Sequence, residues 1–304
     1  MSTPLASQSS PPPARSSQHE VSIGALKVSN ARPLTLFAGV NVLEREETHL
    51  RVAEQLSELC ERLSMPLVFK ASFDKANRSS HTSYRGPGLD EGLKALAKLK
   101  ATFGFPLLTD IHAPEQAAPV AEVVDCLQLP AFLVRQTDLI QAACATGRPL
   151  HLKKMQCMSP QEMAQVIHKC VAFGGRELIL CERGTLFGYN NLVVDPLSFS
   201  ALKVLGAPVS FDVTHALQQP GALGHATGGR GHLTAPLMAA GVSQGLAALF
   251  LELHPNPREA LCDGPCALRL EDAEALLSRA RSLDEWAKAQ LNEPPLTTRA
   301  DADH

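Results

Sequence analysis

Eight short apolar runs, each followed by a stretch of helical character, constrain this chain more than any other feature. The runs are LTLFAGV (34–40), PLVFKA (66–71), PLLTDI (106–111), DCLQLP (125–130), PLHLKK (149–154), ELILCE (177–182), PVSFDV (208–213) and LAALFLEL (246–253). None alternates cleanly between apolar and polar residues, which is the pattern of parallel strands buried on both faces. Between them, THLRVAEQLSELCERLS sets Leu50, Ala53, Leu56, Leu59, Cys60 and Leu63 on one helical stripe. Further helices are expected in LDEGLKALAKLKATF, TDLIQAACATG, SPQEMAQVIHKCVAF, PLSFSALKVLG and LEDAEALLSRARSLDEWAKAQL, several starting after Asp, Thr or Ser and ending near Gly. Eight strand-helix units in roughly 250 residues is the arithmetic of a (β/α)8 TIM barrel. An open doubly wound sheet is the rival, but no GxGxxG or Walker sequence marks its switch point. VSIGALKV, ahead of the first run, reads as a short β-hairpin closing the barrel floor.

At 304 residues with 45% hydrophobic and 19% charged content, the chain could form one large domain or two small ones and has material for a sizeable core. A net charge of −3 offers no global field for nucleic acid or an anionic membrane, so any affinity for anions must be local. The eight cysteines are scattered through apolar segments without metal-finger spacing, and CDGPC holds the only close pair. They read as reduced core residues in a reducing cytosol. The Pro/Ser-rich opening (1–20) lacks the apolar core of a signal peptide and reads as a disordered tail; the catalytic domain is expected over 21–293, with a flexible tail at 294–304. No run approaches the roughly 18 apolar residues of a membrane span.

A barrel builds its active site at the carboxyl ends of its strands, and there this chain concentrates its polar residues. In order they are Asn41 and Glu44; Lys70, Lys75, Asn77, Arg78 and Ser79; Asp110 and His112; Gln128; Lys153, Lys154 and Gln156; Glu182 and Arg183; Asp212 and His215; Glu252 and His254. Any one cation among them is an ordinary surface residue by default. Lys70, Lys75, Arg78, Lys153 and Arg183 converging on one mouth would repel one another unless multiply charged anions joined them. Arg suits bidentate phosphate contact, Lys a point charge, and Asn and Ser sugar hydroxyls, so KASFDKANRSS (70–80) reads as a phosphosugar cradle. His215, Glu252 and Asp263 suit either metal ligation or acid-base work, and His112 is equally open. GHATGGRGH (224–232) reads as a mobile loop or a phosphate nest, and the Lys153–Lys154 pair leaves room for a Schiff-base lysine.

KASFDKANRSS, SYRGPGL, LQLPAFLVRQTDL, CERGTLFGYNNLVVD, FDVTHALQ and HPNPREALCDGP together resemble the 3-deoxy-D-manno-octulosonate 8-phosphate synthases, over roughly residues 21–290. The resemblance implies condensation of phosphoenolpyruvate with arabinose 5-phosphate, in the cytoplasmic synthesis of a lipopolysaccharide precursor. Lys75, Lys153 and Arg183, with Gln128 and the Ala131 backbone, would bind phosphoenolpyruvate; Lys70, Pro130 and Gln156 join the substrate-binding set. Asn77, Arg78 and Ser79 would hold the sugar phosphate, and Arg135 would reach the sugar phosphate of a neighbouring subunit, implying a homotetramer. Asn41, Lys75, Lys153, His215, Glu252 and Asp263 form the expected catalytic set.

Metal-dependent relatives carry Cys where FAGVNVLE has Asn41, and that Cys joins residues matching His215, Glu252 and Asp263. An amide is a poor substitute for a thiolate toward a soft divalent metal, so the expectation is an enzyme without metal or other cofactor. KKMQCMS and GGRGHLT depart from the KKPQF-like and GGRR-like segments of relatives, altering the flank of Lys153 and removing an Arg after Arg230. Three rivals stand beside this reading. They are a sister synthase using erythrose 4-phosphate, disfavoured by KANRSS; a Schiff-base aldolase; and a phosphosugar-binding barrel without chemistry.

Overall fold

The computed structural model describes residues 19–222 and 227–291. A hairpin of β1 (Val21–Ile23) and β2 (Leu26–Val28) precedes eight parallel strands. These are β3 (Thr35–Val42), β4 (Leu67–Ser72), β5 (Leu107–Asp110), β6 (Cys126–Leu129), β7 (Leu150–Lys153), β8 (Leu178–Glu182), β9 (Val209–Asp212) and β10 (Ala248–His254). Each pairs with its sequence neighbour, and β10 pairs with β3 (Ala248 opposite Thr35), so the sheet closes into a barrel. The expected fold class holds, and every barrel strand falls within two residues of its apolar run.

The main helices of the shell are α1 (Glu46–Leu63), α2 (Leu89–Phe103), α3 (Ala117–Val123), α4 (Thr137–Ala145), α5 (Met163–Ala172), α6 (Leu197–Val204), α7 (Thr234–Val242) and α8 (Ala273–Gln290). The stripe on α1 is rotated slightly from expectation: His49 and Val52 are buried with Ala53, Leu56, Leu59 and Cys60, while Leu50 and Leu63 are half-buried at its margins. Helix ends partly follow the expected chemistry. Gly104, Gly147, Gly174 and Gly206 take positive φ just after helices, but none of α1 to α8 has an N-cap side-chain bond. Among the described residues Asp212 caps the short turn Val213–Ala216, accepting from the His215 backbone N–H, and Ser159 and Glu162 each accept from the other's backbone N–H just before α5.

Two apolar layers result. One fills the space between strands and helices; the other lies inside the barrel, where Phe37, Val68, Leu108, Cys126, Ile179 and Phe250 pack on Val21, Ile23 and Val28 of the hairpin. The hairpin therefore seals the floor. Polar groups take over above Phe250, and the chemistry is confined to one end. All eight cysteines are free, and only Cys157 is exposed. Of the expected N-terminal tail, His19 and Glu20 are described, with Glu20 paired to Arg32; residues 1–18 and the 294–304 tail lie outside the described residues. No described helix is long and apolar enough to cross a membrane.

Candidate active site

The register between β3 and β4 slips between Gly39 and Val42, and this irregularity carries Asn41. Gly39 lies so close to β4 that a Cβ would meet the Lys70 carbonyl oxygen at 2.0 Å, so only glycine permits the approach. The Asn41 amide N–H2 donates to Glu252 Oε2 and, at 3.2 Å, to Asp263 Oδ2. Asp263 itself adopts φ 50°, a left-handed conformation uncommon outside glycine.

Below this cluster, Lys70 Nζ donates to Glu252 Oε1 at 2.6 Å and to the Asn41 carbonyl at 3.0 Å, with Lys75 Nζ 3.9 Å from the same carboxylate oxygen. Burial disfavours ionised Glu252, yet His215, Lys70, Lys75 and Lys153 outweigh it and hold the carboxyl well below its ordinary range. Burial pulls Lys70 down to about 8 against the pull of Glu252, whereas the surrounding carboxylates push buried Lys75 above its ordinary value.

Asp212, at the tip of β9, accepts from Lys153 Nζ and lies 2.7 Å from His215 Nδ1. Holding Nδ1 turns Nε2 toward Glu252 Oε2 (3.5 Å) and Asp263 Oδ2 (3.8 Å). Burial disfavours charge on Asp212, but His215 and Lys153 overcome this and keep it ionised far into acid. Glu182 accepts from the backbone N–H groups of Arg183 (2.9 Å) and Gly184 (2.7 Å), fixing the turn that sends Arg183 inward. The Arg183 guanidinium donates through Nη2 to Gln218 at 2.8 Å, while its buried Nη1 has no partner among the described residues.

These groups surround a cavity of about 200 Å³. Lys75, Asn77, Arg78, Ser79, Gln128, Pro130, Ala131, Lys153, Gln156, Arg183, His215 and Asp263 line it, all expected from sequence. Asn41, Lys70 and Glu252 lie beneath the lining, the two charged side chains at most 1% exposed. Arg135 is exposed on the surface beyond β6, away from this cavity. The expected loop at 224–232 is described only from Thr227 onward, where Arg230 donates to Asn191 and the Leu192 carbonyl; residues 223–226 lie outside the described residues. His112 is committed to Asp110 at 3.1 Å.

Sequence reasoning missed two supports. Thr214 accepts from the Glu252 backbone N–H at 2.9 Å, and His151 lies inside the barrel between Gln128 and Ser210. The second had a signal: His151 precedes Lys153 by two residues, the strand period that puts both on one face.

His215, Glu252 and Asp263 offer ligand atoms within 4.8 Å of one another, the span of a metal site. The fourth group does not fit such a site. Asn41 turns its N–H2, a donor, toward both carboxylates, and its Oδ1 lone pairs are buried with no partner among the described residues. The amide already bridges the two oxygens that a cation would join.

The chain matches the DAHP synthetase I family over residues 15–289. It is 53% identical over 282 residues to the 2-dehydro-3-deoxyphosphooctonate aldolase of Stutzerimonas stutzeri, covering 93% of this chain and 99% of that protein. It is 54% identical to the enzymes of the same name from Hahella chejuensis (90% of this chain, 97% of that protein) and Marinobacter nauticus (88% and 96%). With its barrel, its cavity and this similarity along nearly the whole chain, the protein belongs to the 2-dehydro-3-deoxyphosphooctonate aldolases of the DAHP synthetase I family.

Proposed function

We propose that this enzyme condenses phosphoenolpyruvate with D-arabinose 5-phosphate and water, releasing 3-deoxy-D-manno-octulosonate 8-phosphate and inorganic phosphate for lipopolysaccharide precursor synthesis. The observation that carries the reading is the pair of cations at the cavity: among the described residues neither the Arg78 nor the Arg183 guanidinium pairs with a carboxylate, their partners including the Leu261 carbonyl and the Gln218 amide. A cavity with two such cations beside Lys75 and Lys153 suits two phosphorylated ligands at once.

Lys75, Lys153 and Arg183, with Gln128 and Gln156, hold phosphoenolpyruvate against Pro130 and Ala131. Asn77, Arg78 and Ser79 take the sugar phosphate at the outer rim. So held, the two anions meet with their reacting carbons aligned, and their mutual repulsion is offset by fixed cations. The methylene carbon of the enolpyruvate attacks the aldehyde, whose oxygen gains a proton. Water adds to the neighbouring carbon, and the tetrahedral adduct loses phosphate by carbon-oxygen cleavage. His215 and Asp263 face the reacting carbons and are placed to pass the protons. Lys153, engaged with Asp212, acts as a fixed cation in this scheme and forms no Schiff base.

The orientation of Asn41 supports catalysis independent of metal. The exposed apolar side chains Phe187, Tyr189, Leu197 and Val204 support burial against sister subunits in a tetramer, with Arg135 delivered to a neighbouring site. Cytoplasmic residence fits the free thiols. The test is phosphate release from phosphoenolpyruvate with arabinose 5-phosphate or erythrose 4-phosphate, each with and without a strong chelator. Arabinose-dependent release that survives chelation is expected; release only with erythrose 4-phosphate would move the enzyme to the sister activity, and no release with either sugar would leave a binding protein.

A further inference from the structure

His151 is fully buried one layer beneath the cavity, opposite Gln128 in the β6–β7 register, with its ring stacked on Phe250 at 5.8 Å and edge-on to Phe37 at 5.3 Å. A core position of this kind usually holds an aliphatic side chain, and a histidine there needs partners for both nitrogens. It has them. Nδ1 lies 3.0 Å from Gln128 Oε1, and Nε2 lies 2.7 Å from Ser210 Oγ.

An amide oxygen only accepts, so Nδ1 carries the proton, Nε2 is left with its lone pair, and the Ser210 hydroxyl donates to it. The direction agrees with distance, because the same hydroxyl is 3.3 Å from its other acceptor, the Leu180 carbonyl. Burial, reinforced by Lys153 and Lys70, pulls the imidazole down to about 3, so it stays neutral and keeps a single N–H. With Oε1 held from below in this tautomer, Gln128 presents its N–H2 to the cavity it lines.

We propose that His151 is a positioning residue that locks the Gln128 amide with its N–H2 facing the enolpyruvate ligand. An unlocked amide would spend part of its time with the oxygen turned toward an anion, which would weaken binding of that ligand alone. The proposal rests on phosphoenolpyruvate being the inner ligand, and its failure is separable from failure of that reading, because wild-type turnover and phosphoenolpyruvate binding are measured first and independently.

The experiment compares wild type with His151→Leu, His151→Asn and Gln128→Leu, reading the calorimetric Kd for phosphoenolpyruvate, both KM values, kcat and Tm. His151→Leu should weaken phosphoenolpyruvate about tenfold in Kd and KM, the scale of one lost hydrogen bond, with the sugar phosphate KM and kcat within about twofold. His151→Asn, whose amide N–H falls near the place of Nδ1, should restore most of the affinity. In a Gln128→Leu background, His151→Leu should add no further loss, because the group it positions is gone. Equal rises in both KM values, losses that add in the double variant, or an Asn variant as weak as Leu would overturn the proposal. If His151→Leu does not fold, Ser210→Ala removes only the hydroxyl that fixes the imidazole tautomer, and the same selective rise for phosphoenolpyruvate is required of it.

Discussion

Lys70 and Glu252 form an ion pair at 2.6 Å with neither side chain more than 1% exposed. Two charges so deeply buried are strongly desolvated, and breaking such a pair leaves the survivor uncompensated. Glu252 also receives Asn41 and lies near Lys75 and His215, so the pair sets the charge balance of the whole floor of the site. Lys70→Met should destabilise the folded chain by about 3–5 kcal/mol, measured by denaturant unfolding. A loss under about 1 kcal/mol would mean that Lys75 alone balances the carboxylate.

Asn41→Cys exchanges two N–H donors for a thiol. The carboxylates of Glu252 and Asp263 then lose their bridge, and with His215 they regain four-ligand character toward a soft divalent ion. After removal of bound ions by a chelator, the variant should take up zinc in equilibrium dialysis while wild type does not. Equal uptake by both would show that the amide is no barrier to a metal.

The barrel was legible in the sequence because parallel strands buried on both faces are written as unbroken apolar runs. Helices α3 and α7 were not, and for a physical reason: AAPVAEV and TAPLMAAGV contain Pro and small residues and show no polar face, so periodicity has nothing to mark. The polar strand tips were legible as residue types, but their depth was not. Lys70 and Lys75 lie five residues apart in one segment, yet closure of the barrel assigns the first to the floor and the second to the cavity wall. Pairings such as Asn41 with Glu252 join the first and last strands and depend on that closure. Capping was legible at Ser159, which exchanges bonds with Glu162 ahead of α5, and fails at α1 and α2, where Arg45 and Gly88 stand at the N-cap with no side-chain oxygen to offer.

Glu44 ties together two loops of the mouth. Its Oε1 accepts from the Leu261 backbone N–H at 2.8 Å, and the carbonyl of Leu261 accepts from Arg78 Nη1 at 3.1 Å. The backbone of one residue, Leu261, two positions before Asp263, thus links Glu44 to the arginine assigned to the sugar phosphate. Glu44→Ala should raise the KM for the sugar phosphate about tenfold and leave the Kd for phosphoenolpyruvate within about twofold. A change in phosphoenolpyruvate affinity alone would place the effect of Glu44 elsewhere.

Asp110 gives the pH dependence a definite sign. Burial opposes its ionisation, but Lys75 and His112 hold it well below the 3.8 it has in an unfolded chain, and Ser72 donates to the same carboxylate. Between its native value and 3.8 the unfolded state binds the extra proton, so stability rises with pH in that window. The contribution is complete above the unfolded value and is lost as pH falls toward the native one. Asp110→Asn has no proton to exchange there, so it should be less stable than wild type at pH 7 by about 1–3 kcal/mol, with the gap narrowing as the pH is taken below 4. Urea unfolding of both proteins across pH 3 to 7 measures the gap directly. Parallel curves over that range would mean that the native carboxyl titrates as it does in the unfolded chain, and that Lys75 and His112 do not act on it as their positions require.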